Sequence, residues 1–200
     1  MIKKDTQGVT FAKGFTAAGV KAGIKKSGNL DVAVIYTKTQ AVVAGTFTQN
    51  KVAAAPVYVS KEVVATGTAH AIVANAGCAN ACTGQQGLDD AHKMAQIAAD
   101  ELGVNADDVI VGSTGVIGVN LPMDKLEAGI KDAVANLSAD GSDNAGRAII
   151  TTDTHSKSVT CEFELSGKTV RMGAIAKGSG MIRPNMATML GFITTDVAIS

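Results

Sequence analysis

Hydrophobic periodicity changes twice along this chain, and the order of the changes restricts the fold more than any other feature. Short β-branched runs come first: DVAVIYT (31–37), AVVAGTFT (41–48), PVYVS (56–60) and AHAIVANAG (69–77). Bounded by Gly, Ser, Pro or short polar links, they predict strands. The period then becomes helical. LDDAHKMAQIAADEL (88–102) puts Leu88, Ala91, Ala95, Ala98 and Leu102 on one face and stops at Gly103. After a short strand, DVIVGS, the run LPMDKLEAGIKDAVANL predicts a second helix, with Pro122 near its first turn. Its apolar stripe is Leu126, Ile130, Val134 and Leu137. Ser142 reads as the cap of a third, shorter helix that runs to about Ile150. Alternation then returns in SVTCEFELSGKTVRMGAIAK (158–177), a hairpin about a Ser-Gly turn at 166–167, with LGFITTDVAIS as a further strand. Strands, helices and strands in that order predict a layered α/β or α+β domain.

Such a domain must pack with few large rings. Aromatic residues make up 4% of the 200, Trp is absent, and Gly occurs 22 times. The core is therefore expected to be Ala, Val, Ile and Leu in close contact, with many turns or close backbone approaches. A formal net charge of zero gives no electrostatic reason to expect nucleic acid or an anionic membrane as partner. No apolar run approaches membrane-spanning length and the start, MIKKDTQGVT, has no apolar core of a signal peptide, so the cytoplasm is the expected compartment. Cys78 and Cys82 are four apart, not the two-residue gap of metal or redox pairs, and His70, His92 and His155 are scattered. Reduced thiols and no metal site are expected.

Several short motifs mislead. SGKT (166–169) looks like the end of a phosphate loop, but Glu162 stands where its first Gly should be, and it sits in a hairpin. KGSG (177–180) has Arg183 where a third dinucleotide-loop Gly would fall. GSTGVIG (112–118) fits neither nucleotide fingerprint; it reads either as a tight turn between strand and helix or as a cluster of backbone N–H groups able to hold an oxyanion. Lys177 closes an alternating strand before a Gly-rich bend, a place to meet an anionic substrate, although most lysines are solvated surface charges. TTDT (151–154) reads as a Thr/Asp turn.

Three segments, NMATMLGFITTD, VGSTGVIG and NAGCANACTG, together resemble the ornithine acetyltransferase (glutamate N-acetyltransferase) family of arginine biosynthesis. FAKGFTAAGVKAGIK, GTFTQNKVAAAPV, IITTDT and AIAKGSGM fit as well, so the resemblance runs from about Gly8 to Ser200. Its most specific element is the A-T-M-L run with Lys177 eleven residues before Thr188. The resemblance implies a DmpA-like sandwich and a self-processing enzyme, kin to N-terminal-nucleophile hydrolases in chemistry but not in fold. The implied cut is at Ala187–Thr188, leaving residues 1–187 as an α chain and 188–200 as the start of a β chain. The family moves acetyl from N2-acetylornithine to glutamate without a cofactor, and some members also accept acetyl-CoA as substrate. Thr188 is the implied nucleophile, and Thr114 and Gly115 the oxyanion hole. Thr151, Lys177 and Thr188 are the implied substrate contacts, with Thr152 replacing Thr151 in a register one residue off. The implied assembly is α2β2, the β chain being the second half of a precursor about twice this length. Where the family motif reads NSGNANACTG this chain has Ala76 and Cys78, a less polar loop. A related aminopeptidase-type hydrolase, and a non-catalytic binding fragment awaiting its second half, are the alternatives.

Overall fold

The computed structural model describes residues 2–178 and 189–198. Its strands are β1 (Ile2–Lys4), β2 (Phe15–Val20), β3 (Val32–Val42), β4 (Thr68–Cys78), β5 (Val109–Val116), β6 (Lys157–Leu165), β7 (Lys168–Lys177) and β8 (Leu190–Thr195). The helices are α1 (Ala55–Thr66), α2 (Gly84–Leu102), α3 (Met123–Ala135) and α4 (Ser142–Ile149). Two four-stranded sheets result, ordered β2-β3-β4-β5 and β1-β6-β7-β8. All pairings are antiparallel except β4 with β5, whose crossover is the long helix α2.

Alternation along β3 and β4 sorts side chains onto the two faces of the first sheet. Val32, Val34, Ala71 and Val73 meet Val59 of α1, Met94 and Ala98 of α2, and Leu126 and Ile130 of α3. On the opposite face Ala33, Ile35 and Ala74 meet Ala145, Ala148 and Ile149 of α4 together with Ile175 of β7. The layers are thus helices, first sheet, then second sheet with α4 at the junction. The aromatic-poor, Gly-rich composition is used where α4 meets β2. A Cβ at Gly19 would overlap the Asn144 carbonyl, and one at Gly141 would overlap the carbonyl of Ala17.

Several expectations need correction. The run 56–60 is not a strand but lies in α1. Five residues are too few to separate a period of 2 from 3.6, and the helix is set by its surroundings: Pro56 in its first turn, Ala55, Val59 and Val63 buried at four-residue spacing, and Gly67 closing it with φ 86°. The run 41–48 is not a separate strand either. β3 continues to Val42 across a register shift between Tyr36 and Ala41, and residues 43–54 are irregular. Ser142 is the first residue of α4 rather than its cap, which is Gly141, and its Oγ accepts the N–H of Val9 at 3.0 Å. The hairpin is as expected, with Ser166 and Gly167 both at positive φ, 50° and 73°.

One buried carboxylate organises the approach to the first sheet. Asp31 is 0% exposed and accepts the N–H groups of Ala22 (2.6 Å), Ile24 (2.6 Å) and Lys25 (2.9 Å). It thereby folds residues 21–30 back over the start of β3. Its own N–H donates to Val20 O at 2.8 Å, and its carbonyl accepts from Ala76 of β4 at 2.8 Å. Removing the carboxylate would leave three part-buried donors without their acceptor. Asp31→Ala is expected to lower unfolding free energy by about 3–5 kcal/mol in urea titrations, more than Asp31→Asn, which keeps one oxygen acceptor.

Candidate active site

The segment GSTGV is not a turn: residues 112–116 are the last five of β5, extended and paired with β4. The register slips at Gly77 and Cys78, so that Cys78 faces both Thr114 and Val116. Glycine is required at the crossing. Gly115 has φ 141°, and a Cβ there would overlap the carbonyl carbon of Gly77. Gly77, at φ 112°, is backed in turn by Ile24, whose Cγ2 lies 3.0 Å from where a Cβ would stand. Asp31 thus acts on this crossing through the loop it anchors.

A polar clamp fixes the same place from beneath. Asn75 is fully buried; its Oδ1 accepts Ser113 Oγ at 2.6 Å and its Nδ2 donates to Cys78 O at 3.0 Å. Both strands are therefore pinned immediately beside Thr114, which is itself buried, while Gly115 is exposed. Cys78 is buried with its thiol donating to Val119 O at 3.2 Å, so the less polar loop has become packing. Cys82 is exposed, and the three cysteines are unbridged.

The second sheet supplies the cation. Lys177 ends β7 opposite Leu190, the first residue of β8, and is 4% exposed. Its Nζ donates to Gly178 O at 3.0 Å. Burial pushes its pKa below the usual lysine value, and Lys157 adds to that while Asp153 opposes it. Asp153, in the TTDT turn, proves central. Its Oδ1 accepts Gly178 N–H at 2.9 Å and pairs with Lys157, and only 5% of its side chain is exposed. Burial pushes the carboxyl up, but the hydrogen bonds from Lys157 and Gly178 outweigh it and hold the pKa below the usual carboxylate value. Thr151 and Thr152 are exposed on the same loop, which Asp153 ties beside Lys177.

The two sheets meet at the beginning of β8. A Cβ on Gly112 would lie 3.8 Å from Leu190 Cδ2 and 3.7 Å from Phe192 Cζ. Leu190 therefore sits over β5 two residues before Thr114, and opposite Lys177 in the second sheet. Ala187 and Thr188 lie outside the described residues, two positions upstream of the described chain's Met189 and Leu190. Among the described residues no group of His, Cys, Asp and Glu is arranged to hold a metal ion.

The ArgJ family signature matches residues 16–200. The chain belongs to the ArgJ family. The arginine biosynthesis bifunctional protein ArgJ of Symbiobacterium thermophilum is 52% identical over 194 residues, covering 96% of this chain but 48% of the relative. This chain thus spans about half the length of the curated ArgJ relatives it matches. Ornithine acetyltransferase of Mycobacterium tuberculosis, solved in complex with ornithine, superposes with a TM-score of 0.86 at 42% identity, covering 95% of this chain and 100% of that one. The L-aminopeptidase D-Ala-esterase/amidase of Ochrobactrum anthropi, a variant of the Ntn hydrolase fold, superposes over 86% of this chain and 53% of its own at a TM-score of 0.50 and 15% identity. That likeness is of fold alone, and it corrects the expectation that kinship with such hydrolases stops at chemistry. No helix among the described residues is long and apolar enough to cross a membrane.

For this ArgJ-family chain, Asp153→Asn is expected to cost about 1–3 kcal/mol at pH 7, the range for hydrogen bonds to a charged group. Because the folded carboxyl titrates below its unfolded value of about 3.9, its contribution is fully present above that value and is lost as pH falls through the folded pKa. Urea midpoints of wild type and Asp153→Asn should therefore differ at pH 7 and converge on acidification.

Proposed function

We propose that this chain is the α-chain region (1–187), with the first β-chain residues (188–200), of a self-cleaving acetyltransferase of arginine biosynthesis. It would move acetyl from N2-acetyl-L-ornithine to L-glutamate through an acetyl-threonine, without a cofactor. The observation that carries this reading is the start of β8. It brings the chain just after Thr188 over the strand bearing Thr114 and Gly115, and opposite buried Lys177. Two sequence-distant candidates thus lie beside Leu190, two residues after Thr188 in the sequence.

In the precursor, Thr188 Oγ1 attacks the carbonyl carbon of Ala187, the C–N bond breaks, and the resulting ester is opened by water. The β-branch of threonine limits χ1 and holds the hydroxyl for attack, and the alanine methyl leaves that carbonyl accessible. The freed α-amine, with an unperturbed pKa of about 7.7–8.0, is neutral in roughly a tenth to a sixth of molecules at pH 7. It accepts the proton of its own hydroxyl as that oxygen attacks the acetyl carbonyl of acetylornithine. The Thr114 hydroxyl and Gly115 N–H would stabilise the tetrahedral oxyanion. Ornithine leaves, and the glutamate amine takes the acetyl in a second half-reaction, giving ping-pong kinetics. Lys177 would pair with a substrate α-carboxylate, and Thr151 or Thr152, exposed on the neighbouring loop, would meet the substrate beside it.

The comparison lengths support a two-chain protein. Curated relatives are about twice as long as this chain, whereas the Mycobacterium tuberculosis chain is matched over its whole length. An α2β2 assembly and a cytoplasmic location follow from the same reading.

Intact mass of the protein expressed from its full reading frame, beside Thr188→Ala, is the test. Wild type should give two chains, the second beginning at Thr188, and Thr188→Ala a single uncut chain without acetylornithine-dependent formation of acetylglutamate. An uncut wild-type chain, or undiminished activity in Thr188→Ala, would overturn the proposal, and release of free acetate would replace the acceptor glutamate by water. Thr114→Ala should still fold but lose about 10²–10³-fold in kcat, the usual effect of removing one oxyanion donor.

A further inference from the structure

Lys25 joins two parts of the candidate site that are otherwise far apart in the chain. Its backbone N–H donates to Asp31 Oδ2 at 2.9 Å, and its backbone N lies 3.2 Å from where a Cβ on Gly77 would stand. Its side chain leaves that crossing for α4. There Nζ donates to Ala148 O at 3.3 Å and to Arg147 O at 3.5 Å, and it also donates to Leu30 O. A second lysine holds the same loop from another side: Lys125 of α3 donates to Gly23 O at 3.0 Å.

The end of α4 is where such a donor is needed. Helices α1, α2 and α3 are each closed by the backbone N–H of the residue that follows them, Gly67, Gly103 and Asn136. Ile150 after α4 is extended, with φ −78° and ψ 154°, and among the described residues its N–H closes no such bond. An ammonium on the last-turn carbonyls satisfies them and meets the negative end of the helix dipole. Burial lowers the Lys25 pKa, and the Asp31 carboxylate opposes that.

Thr151 and Thr152 follow immediately. Beyond them Asp153 is fastened by the N–H of Gly178 at 2.9 Å and by Lys157. The two threonines therefore sit on a short span between two anchors, Lys25 on the helix side and Asp153 on the Lys177 side. We propose that Lys25 is a positioning residue for substrate binding: by tying the end of α4 to the loop behind the Gly77–Gly115 crossing, it sets where Thr151 and Thr152 stand relative to Gly115. The backbone bonds to Asp31 keep that loop in place without the ammonium, so the side chain acts on the threonine loop and not on the crossing. The proposal rests on the acetyl-transfer reading above, and the experiment keeps the two apart.

Kinetics of the protein expressed from its full reading frame provide the test. Lys25→Met keeps an apolar stem and removes the donors. It should raise KM for acetylornithine and for glutamate about tenfold and leave kcat within about twofold, as expected when ground state and transition state lose the same contact. Lys25→Arg, which can donate to both α4 carbonyls, should bring KM back to within about threefold of wild type. Lys125→Met frees the same loop from α3 but leaves α4 held, so its KM should match wild type. A wild-type KM in Lys25→Met, a fall in kcat without a rise in KM, or an equal rise in Lys125→Met would overturn the proposal. If wild type forms no acetylglutamate, the acetyl-transfer reading fails by itself, and hydrogen exchange decides on Lys25. The peptide spanning 147–153 should then exchange about tenfold faster in Lys25→Met than in wild type, with that spanning 109–116 unchanged. Equal exchange of 147–153 in both proteins would overturn the placement of the threonine loop by Lys25.

Discussion

At Gly77 and Gly115 two backbones touch with no side chain between them, and the rest of the candidate site is arranged around that contact. The parallel strands β4 and β5 could not approach so closely with any Cβ at 115. The register slip at Cys78 lets one strand bend past the other without breaking the sheet. The contact is held from two sides. Asn75 ties Ser113 to the Cys78 carbonyl from within, and the loop anchored by Asp31 presses Ile24 against Gly77 from without. What emerges is an extended strand end, buried at Thr114 and open at Gly115, supported by hydrogen bonds that leave it little freedom. Preorganisation of that kind is what a developing oxyanion requires, because donors already in place need not reorganise during reaction.

The second sheet meets this strand through small residues. Gly112 leaves room for Leu190 and Phe192 to lie on β5, and that packing carries β7 and its terminal lysine to the same end of the sandwich. A buried lysine is costly unless negative or polar groups accompany it. Here Asp153 and the Gly178 carbonyl do so, with Lys157 completing the group as the outer partner of the aspartate. The cluster holds the backbone at Gly178, where β7 hands over to the segment that leads to Thr188. One carboxylate therefore serves both the electrostatics of Lys177 and the placement of the Gly178 backbone.

The inward face of the second sheet mixes apolar and polar residues, with Ile175 in the core and Phe192 over β5 beside buried Thr194. Its inward positions meet α4 and the short turn at Gly8–Thr10, where backbone carbonyls need donors, so Thr194 is used there.

Much of the architecture was legible in the residues. The faces of α2 and α3, the cap at Gly103 and the hairpin at Ser166–Gly167 each rest on local chemistry, periodicity or a positive φ, which needs no knowledge of neighbours. The ATML run, the STG segment and Lys177 could be singled out by resemblance before any of them had a position. The short run at 56–60 was read with the wrong period, because β-branched composition speaks for a strand until Val59 and Val63 are seen buried against the first sheet. Asp31 and Asp153 carried no signal at all. Their importance lies in being buried among donors, and burial belongs to the folded chain rather than to the aspartate. The sequence by itself therefore determined most of the elements and their turns, since these depend on contacts a few residues apart. Only the tertiary structure decided which strand ends meet and which carboxylates are structural. Those outcomes depend on groups as far as 185 residues apart in the chain, as Thr194 and Val9 are, and no local pattern encodes them.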